Sequence, residues 1–294
     1  MNNKKSIDIA FVILHYLVDE ETVKCISAIS ENVDTVNYHI IVVDNASNNG
    51  SYERLVKKYE NNAHVSLIHN TENIGFAKGN NVGIDYVKEH YEFRYICCLN
   101  NDVYLMDKHL IDTLDEEYKK SNFAVLGPLI LSGDGRYDSN PQTVGIITDV
   151  ADVHARIKRY KRLLLLLKLH LYGVFVRLKT LRNTYTNNTA KKIIPQRQLN
   201  VQLSGACLIF TNYFFEKLNG FCPETFLYKE EDILRYQLMQ NKLLSVFLPT
   251  LLFYHAEDAS TDAQIRNSRE KDIFVYKEYI KSLNVLLKIM KNEN

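Results

Sequence analysis

Two short acidic clusters carry most of the chemistry legible in this 294-residue chain. Asn100-Asn101-Asp102 follows Tyr95-Ile96-Cys97-Cys98-Leu99, so one carboxylate and two amides stand at the end of a run that reads as a strand covered on both faces. Such a group can receive a metal-bound diphosphate; Asn and Asp are also ordinary residues of a polar strand-to-helix turn. Glu230-Glu231-Asp232 sits where a helix begins. The helix dipole favours carboxylates there, and their mutual repulsion raises one pKa, which suits a general base. Asp44 ends a second apolar run. It can accept hydrogen bonds from a pyrimidine ring N–H or a ribose hydroxyl, or it can cap the next helix, a role open to Ser47 and Asn48 as well. Asn73-Ile74-Gly75-Phe76-Ala77-Lys78-Gly79-Asn80-Asn81 is rich in Gly and Asn ahead of a helix, so its backbone can approach a ligand closely. It is neither a dinucleotide fingerprint nor a P-loop. His255, followed by Ser260, is a metal or phosphate ligand or a structural histidine.

The elements that must position these residues alternate. Residues 7–14, 39–43, 65–68 and 95–99 are apolar and β-prone, and 20–30, 51–59, 77–88 and 108–119 have helical spacing. Four strand-helix units in succession predict a doubly wound, mostly parallel α/β sheet. Its polar strand ends (44–48, 70–75 and 100–102) then line one edge, where ligands of such sheets collect. Regularity fails after Leu126-Gly127-Pro128. It returns with a strand over 201–210, a short helix over 213–218, a helix over 230–240, strands at 243–248 and 251–254 divided by Pro249, and an amphipathic helix over 269–290.

An apolar content of 46% supplies a core and excludes disorder. Cys25, Cys97, Cys98, Cys207 and Cys222 have no C-x-x-C spacing, which predicts neither a zinc site nor a disulfide framework and fits a reducing, cytoplasmic setting. The N-terminus imitates a signal peptide, but Asp8 and His15 interrupt its apolar run, so it reads as the first core strand. No stretch reaches the ~18 apolar residues of a spanning helix.

The net charge of +1 hides an asymmetry: residues 153–215 hold 12 Lys or Arg and no Asp or Glu. At about 100° per residue, Leu163, Leu167, Leu171, Val174, Leu178 and Leu181 share one helix face, with Lys161, Lys168 and Lys179 opposite. A cationic amphipathic helix over 156–182 suits an anionic membrane surface. The alternative is a helical excursion packed on the main domain or on a second copy of the chain in an oligomer. Nucleic acid is disfavoured, because the stretch is aliphatic where stacking needs aromatics.

The motifs, in order, are Val42-Val43-Asp44-Asn45-Ala46-Ser47, Asn73 to Asn81, Leu99-Asn100-Asn101-Asp102, Ser204-Gly205-Ala206-Cys207-Leu208, Gly220-Phe221 with Phe226-Leu227-Tyr228-x-Glu230-Glu231, and His255 with Ser260. This order, over roughly residues 7–260, resembles family 2 glycosyltransferases of the rhamnosyltransferase-like branch. The resemblance implies a GT-A fold over 1–260; the basic composition marks a helical insertion at about 153–200, and the amphipathic pattern a C-terminal helical extension over 261–294. It implies inverting transfer of a sugar from a nucleotide-sugar donor (UDP- or dTDP-sugar) to a hydroxyl of a glycan or lipid-linked acceptor in cell-envelope polysaccharide synthesis. The protein would then be cytoplasmic, peripheral at the inner face of the cell membrane.

By position, Asp44 matches the family's base-binding aspartate and Asp102 the last residue of its D-x-D motif, which holds a divalent metal, Mg²⁺ or Mn²⁺. Asn100 stands where the first aspartate often is, and His255 matches a histidine near the metal. The implied donor-binding set is Asp44, Asn73, Gly75, Lys78, Asn100, Asn101 and Gly205. Glu230 and Glu231 fall on the family's Glu-Asp pair, whose second member is the base, and Asp232 beside them leaves three candidates for that role. Cys222 replaces an aspartate common after Gly-Phe. A sugar-1-phosphate nucleotidyltransferase is the competing enzyme class. It wants a Gly-rich basic loop after the first strand, where this chain has Leu14-His15-Tyr16-Leu17. A non-catalytic carbohydrate-binding protein on the same fold is the other alternative.

Overall fold

The computed structural model describes residues 4–133, 140–172, 196–256 and 268–292. Its elements in chain order are β1 (Lys5–His15), α1 (Asp19–Asn32), β2 (Tyr38–Asp44), α2 (Ser51–Tyr59), β3 (Val65–His69), α3 (Gly75–His90), β4 (Tyr91–Asn100), β5 (Val103–Leu105), α4 (Leu110–Ser121), β6 (Val125–Ser132), α5 (Val150–Lys168), β7 (Gln198–Leu199), β8 (Cys207–Thr211), α6 (Asn212–Phe215), α7 (Glu230–Gln240), β9 (Ser245–His255) and α8 (Ser268–Asn292).

One sheet runs β3-β2-β1-β4-β8-β6-β9-β5, with β7 on β9. β1 to β4 are mutually parallel, β8 opposes β4 and β6, and β6 and β9 run parallel to each other. The alternation along β1 sets the layers. Ile9, Phe11 and Ile13 face α1, α2 and α4 through Ile26, Leu55 and Leu114. Ala10 and Val12 face the opposite layer, with Ile84 of α3 and Leu234 and Leu238 of α7. Gly83 lets α3 approach the sheet, since a Cβ there would lie 2.4 Å from a Val12 methyl. Ile233 of α7, Val153 and Ile157 of α5, and Leu283, Leu286 and Met290 of α8 form a third apolar cluster outside that layer.

The sheet differs from the sequence reading in its second half. β6 lies where regularity was expected to fail: it runs through Leu126-Gly127-Pro128 and on to Ser132 as a buried strand. The expected break at Pro249 is a register shift within β9. Pro128 pairs Leu248 and Leu129 pairs Leu252, so the extra residues bulge where neither proline can donate to the ladder. The strand expected over 201–210 begins only at Cys207.

The helix expected over 156–182 is also corrected. α5 starts at Val150, capped by the Asp149 side chain on the Asp152 N–H, and stops at Lys168. Leu171 N donates to Leu166 O and His170 N to Leu167 O, with His170 left-handed at φ 58°, a Schellman-type stop. Its inward face is Val153, Ile157 and Leu167, while Leu165, Leu169 and Leu171 are exposed. Packing against α8 therefore sets a register different from the leucine stripe. Gly173, Val174, Arg177, Leu178, Lys179, Leu181 and Ser260 lie outside the described residues. No described helix is long and apolar enough to cross a membrane.

Candidate active site

Parallel pairing aligns the carboxyl ends of three strands: Leu14 stands beside Val43 and Asn100, and His15 beside Asp44. The residues after these ends form one wall of a cleft of about 300 Å³, with Tyr16, Asn45, Asn100 and Asn101 on that side. The other wall is Ser204-Gly205-Ala206, Phe226-Leu227-Tyr228 and the first turn of α7, Glu230 and Glu231. A hydrogen bond from Asn100 N to Ala206 O (3.0 Å) ties the walls together.

The three carboxylates of α7 diverge. Glu231 faces Gly205, where an added Cβ would stand 3.1 Å from its Oε1. Burial, then the charge of Asp232, raises its pKa. Glu230 is pushed up to about 8 by burial and by Glu231. Asp232 does not line the cleft; its buried Oδ2 lies 3.1 Å from Lys229 Nζ. α7 has no side-chain cap. Tyr228 and Lys229 before it have φ of 68° and 71°, left-handed values that cost a non-glycine residue about 1–3 kcal/mol each.

Asp102 and His255 come together because β5 pairs antiparallel with β9, setting Val103 opposite His255. His255 Nε2 is 3.3 Å from Asp102 Oδ1, and Ala256 N donates to Asp102 O. Among the described residues no third His, Cys, Asp or Glu joins them. A carboxylate oxygen and an imidazole nitrogen are a suitable protein share for Mg²⁺ or Mn²⁺ that takes its other ligands from phosphate and water. The described cleft lining contains no Lys or Arg to balance a diphosphate.

Several expected ligand residues are engaged in holding the site. Asp44 is fully buried: its carboxylate accepts from His69 Nδ1 (2.7 Å) and from Ser47 N (3.2 Å) in the loop after β2, and it does not cap α2, which begins after Gly50 with no side-chain cap. Asn101 donates to Val18 O and Thr22 Oγ1, pinning the start of α1. Asn73 accepts from Asn45 Nδ2 and Gly75 N. Gly75, at φ 84°, lets Phe76 N reach Phe226 O (2.7 Å); a Cβ there would stand 2.1 Å from that oxygen. Asn81 likewise grips Phe221 N and O. The asparagine-glycine motif thus fastens α3 to the segment that carries Glu231. Lys78 is exposed on α3 and does not line the cleft.

Sequence reasoning missed His15 and His69. His15 bridges Thr22 and Ser51 at 2.8 and 2.9 Å, and burial lowers its pKa. His69 packs against Tyr52, with ring centroids 4.6 Å apart and planes tilted by 33°. The available signal was a polar residue at the end of an apolar strand, the same signal that drew attention to Asp44.

The profile described as glycosyl transferase family 2 matches residues 11–186. The chain belongs to that family. The match contains Asp44, the asparagine-glycine motif and Asp102, and stops before Glu231 and His255. No curated protein matches this family 2 chain in sequence. Among solved structures, S. aureus TarS is 12% identical over 85% of the chain and 37% of TarS, with a TM-score of 0.54. TarS residues 1–349 in complex with UDP give 13% identity, 93% and 64% coverage, and a TM-score of 0.54. GalNAc-T7 with UDP, GalNAc and Mn²⁺ gives 14% identity, 87% and 44% coverage, and a TM-score of 0.55. The family 2 chain therefore spans well under two thirds of the longer TarS chain and of the GalNAc-T7 chain, and what it shares with them is the GT-A fold.

Proposed function

We propose that the protein is an inverting glycosyltransferase that takes a sugar from a nucleoside-diphosphate donor, with Glu231 as general base. The observation that carries this reading is the position of Glu231 across the cleft from Asn100 and Asn101 at the end of β4; Asp102 and His255 lie next to that strand end but do not line the cleft. Glu231 would take the proton of the acceptor hydroxyl as its oxygen attacks the anomeric carbon, leaving the diphosphate on the opposite face. Its raised pKa makes it a better proton acceptor than an exposed glutamate. Asn100 would bond ribose or diphosphate oxygens. Asp102 and His255 would hold Mg²⁺ or Mn²⁺, which when bound supplies the positive charge a departing diphosphate needs.

UDP in the TarS and GalNAc-T7 structures supports a UDP-sugar, and the motif order supports a hexosyl or rhamnosyl transfer to a glycan or lipid-linked acceptor of the cell envelope. A membrane-proximal acceptor is supported by α5, whose exposed Lys158, Arg159, Lys161, Arg162 and Lys168 accompany exposed Leu165 and Leu169. The nucleotidyltransferase alternative is disfavoured by the absence of Lys and Arg from the described cleft lining, since a triphosphate needs more positive charge than a diphosphate. Release of UDP from UDP-sugars with Mn²⁺, together with a thermal-shift screen of UDP-, dTDP- and GDP-sugars, tests the proposal. Stabilisation by none of them overturns it.

A further inference from the structure

α7 begins without a side-chain cap, on two consecutive left-handed residues that carry side chains, so something outside the turn must hold Tyr228 and Lys229 in place. The groups that do so come largely from α8. The Tyr228 ring stands edge-on to Tyr279, with centroids 5.3 Å apart and planes at 88°. Lys229 Nζ lies over the same Tyr279 ring at 5.2 Å while it pairs with Asp232 at 3.1 Å. Ser282, one turn further along α8, reaches Leu227 O at 3.4 Å. Tyr279 is itself backed by Tyr160 of α5 at 4.9 Å.

We propose that Tyr279 and Lys229 are positioning residues: a clamp from the C-terminal helix that holds the reversed turn at 228–229 and so directs Glu231 into the cleft and Asp232 away from it. The inference rests on Glu231 being the base. Without the Tyr279 ring, Tyr228 and Lys229 would relax toward ordinary right-handed or extended backbone, because a Cβ disfavours the left-handed region. That relaxation would rotate the first turn of α7 and carry the Glu231 carboxylate off Gly205. Lys229 also acts electrostatically. The groups facing Glu231 are the carboxyls of Glu230 and Asp232, the phenol of Tyr279 and the cationic Lys229, so Lys229 is the one cation among them and favours the ionised base.

The test uses the full chain with Tyr279→Ala, Tyr279→Phe and Lys229→Met. Tyr279→Ala should lower kcat for sugar transfer about 10- to 100-fold, as expected when a supporting group beside a catalytic residue is lost, while UDP affinity in Mn²⁺ stays within about twofold. Tyr279→Phe keeps the ring and should restore kcat. Lys229→Met should move the acid limb of the kcat/KM profile to higher pH, because Glu231 loses its positive neighbour. Amide hydrogen exchange over 227–233 should quicken in Tyr279→Ala and not in Tyr279→Phe. Unchanged exchange there overturns the clamp whether or not the enzyme is active. A Tyr279→Ala protein that loses UDP binding and kcat together, with a broadly lowered Tm, assigns Tyr279 a purely structural role and also overturns it. A wild-type chain that transfers from no nucleotide-sugar defeats the proposed function instead, and the exchange result still decides the clamp.

Discussion

His255 Nε2 and Asp102 Oδ1 stand 3.3 Å apart, although the two residues are distant in the chain, because the short antiparallel pairing of β5 with β9 closes the edge of the sheet there. Both groups can donate an electron pair to a cation, and neither has another carboxylate or imidazole of the described residues gathered with it.

Asp102→Ala and His255→Ala should therefore remove the Mn²⁺-dependent part of UDP binding and leave the metal-free part unchanged. Isothermal titration of UDP with Mn²⁺ and with EDTA measures the difference. Retention of Mn²⁺ dependence in both variants would show that the cation sits elsewhere.

Glu231→Gln and Asp232→Asn should separate chemistry from stability. The first should lower kcat by roughly 10²–10⁴-fold with UDP affinity nearly unchanged, the loss expected of a missing general base. The second breaks the pair with Lys229. A fully buried pair costs ~3–5 kcal/mol to break; the Lys229 side chain is 20% exposed, so about 2 kcal/mol is expected, read as a lower urea midpoint. The opposite pattern would move the base to Asp232.

Glu230 makes the apo protein sensitive to pH. Its folded pKa of about 8 lies above the unfolded value of 4.5, so between those values the native state binds more protons than the unfolded state and stability falls as pH rises. Urea midpoints measured from pH 5 to 8.5 should decline more steeply for wild type than for Glu230→Gln, whose side chain has no charge to bury. Parallel curves would refute the assignment.

Gly75→Ala places a methyl group 2.1 Å from Phe226 O at a left-handed φ. It should destabilise the fold by more than ~1 kcal/mol and reduce kcat, because the 226–228 segment must move away from α3. A Tm within 1 °C of wild type would mean that the contact is not needed.

Replacing Lys158, Arg159, Lys161 and Arg162 with Glu should weaken sedimentation with phosphatidylserine liposomes by about 10-fold or more, since each basic residue near an anionic surface contributes up to ~1 kcal/mol. Equal binding by wild type and variant would reject membrane docking through α5.

Much of the first half was legible because local pattern and tertiary role coincide there. Residues 9–14, 40–43 and 95–99 are apolar throughout, as strands covered on both faces must be, and the second and third of these runs end in polar clusters at the same edge. β6 was not foreseen and β9 was divided at Pro249, because the bulge that accommodates Pro128 and Pro249 is revealed only by the pairing of the two strands. α5 was drawn from its leucines, whereas its register follows from Val153 and Ile157 against α8.

The sequence by itself determined the alternating strands and helices, the polar strand ends and the order of the acidic motifs, since these depend on side-chain type and spacing along the chain. Tertiary structure decided what each polar group does. Asp44 is closed off by His69, Asp232 is turned to Lys229, Glu231 faces the cleft, and Asp102 meets His255. Those outcomes depend on which distant segment supplies the hydrogen-bond or ionic partner, and a carboxylate has the same chemistry until its partner and its access to water are fixed.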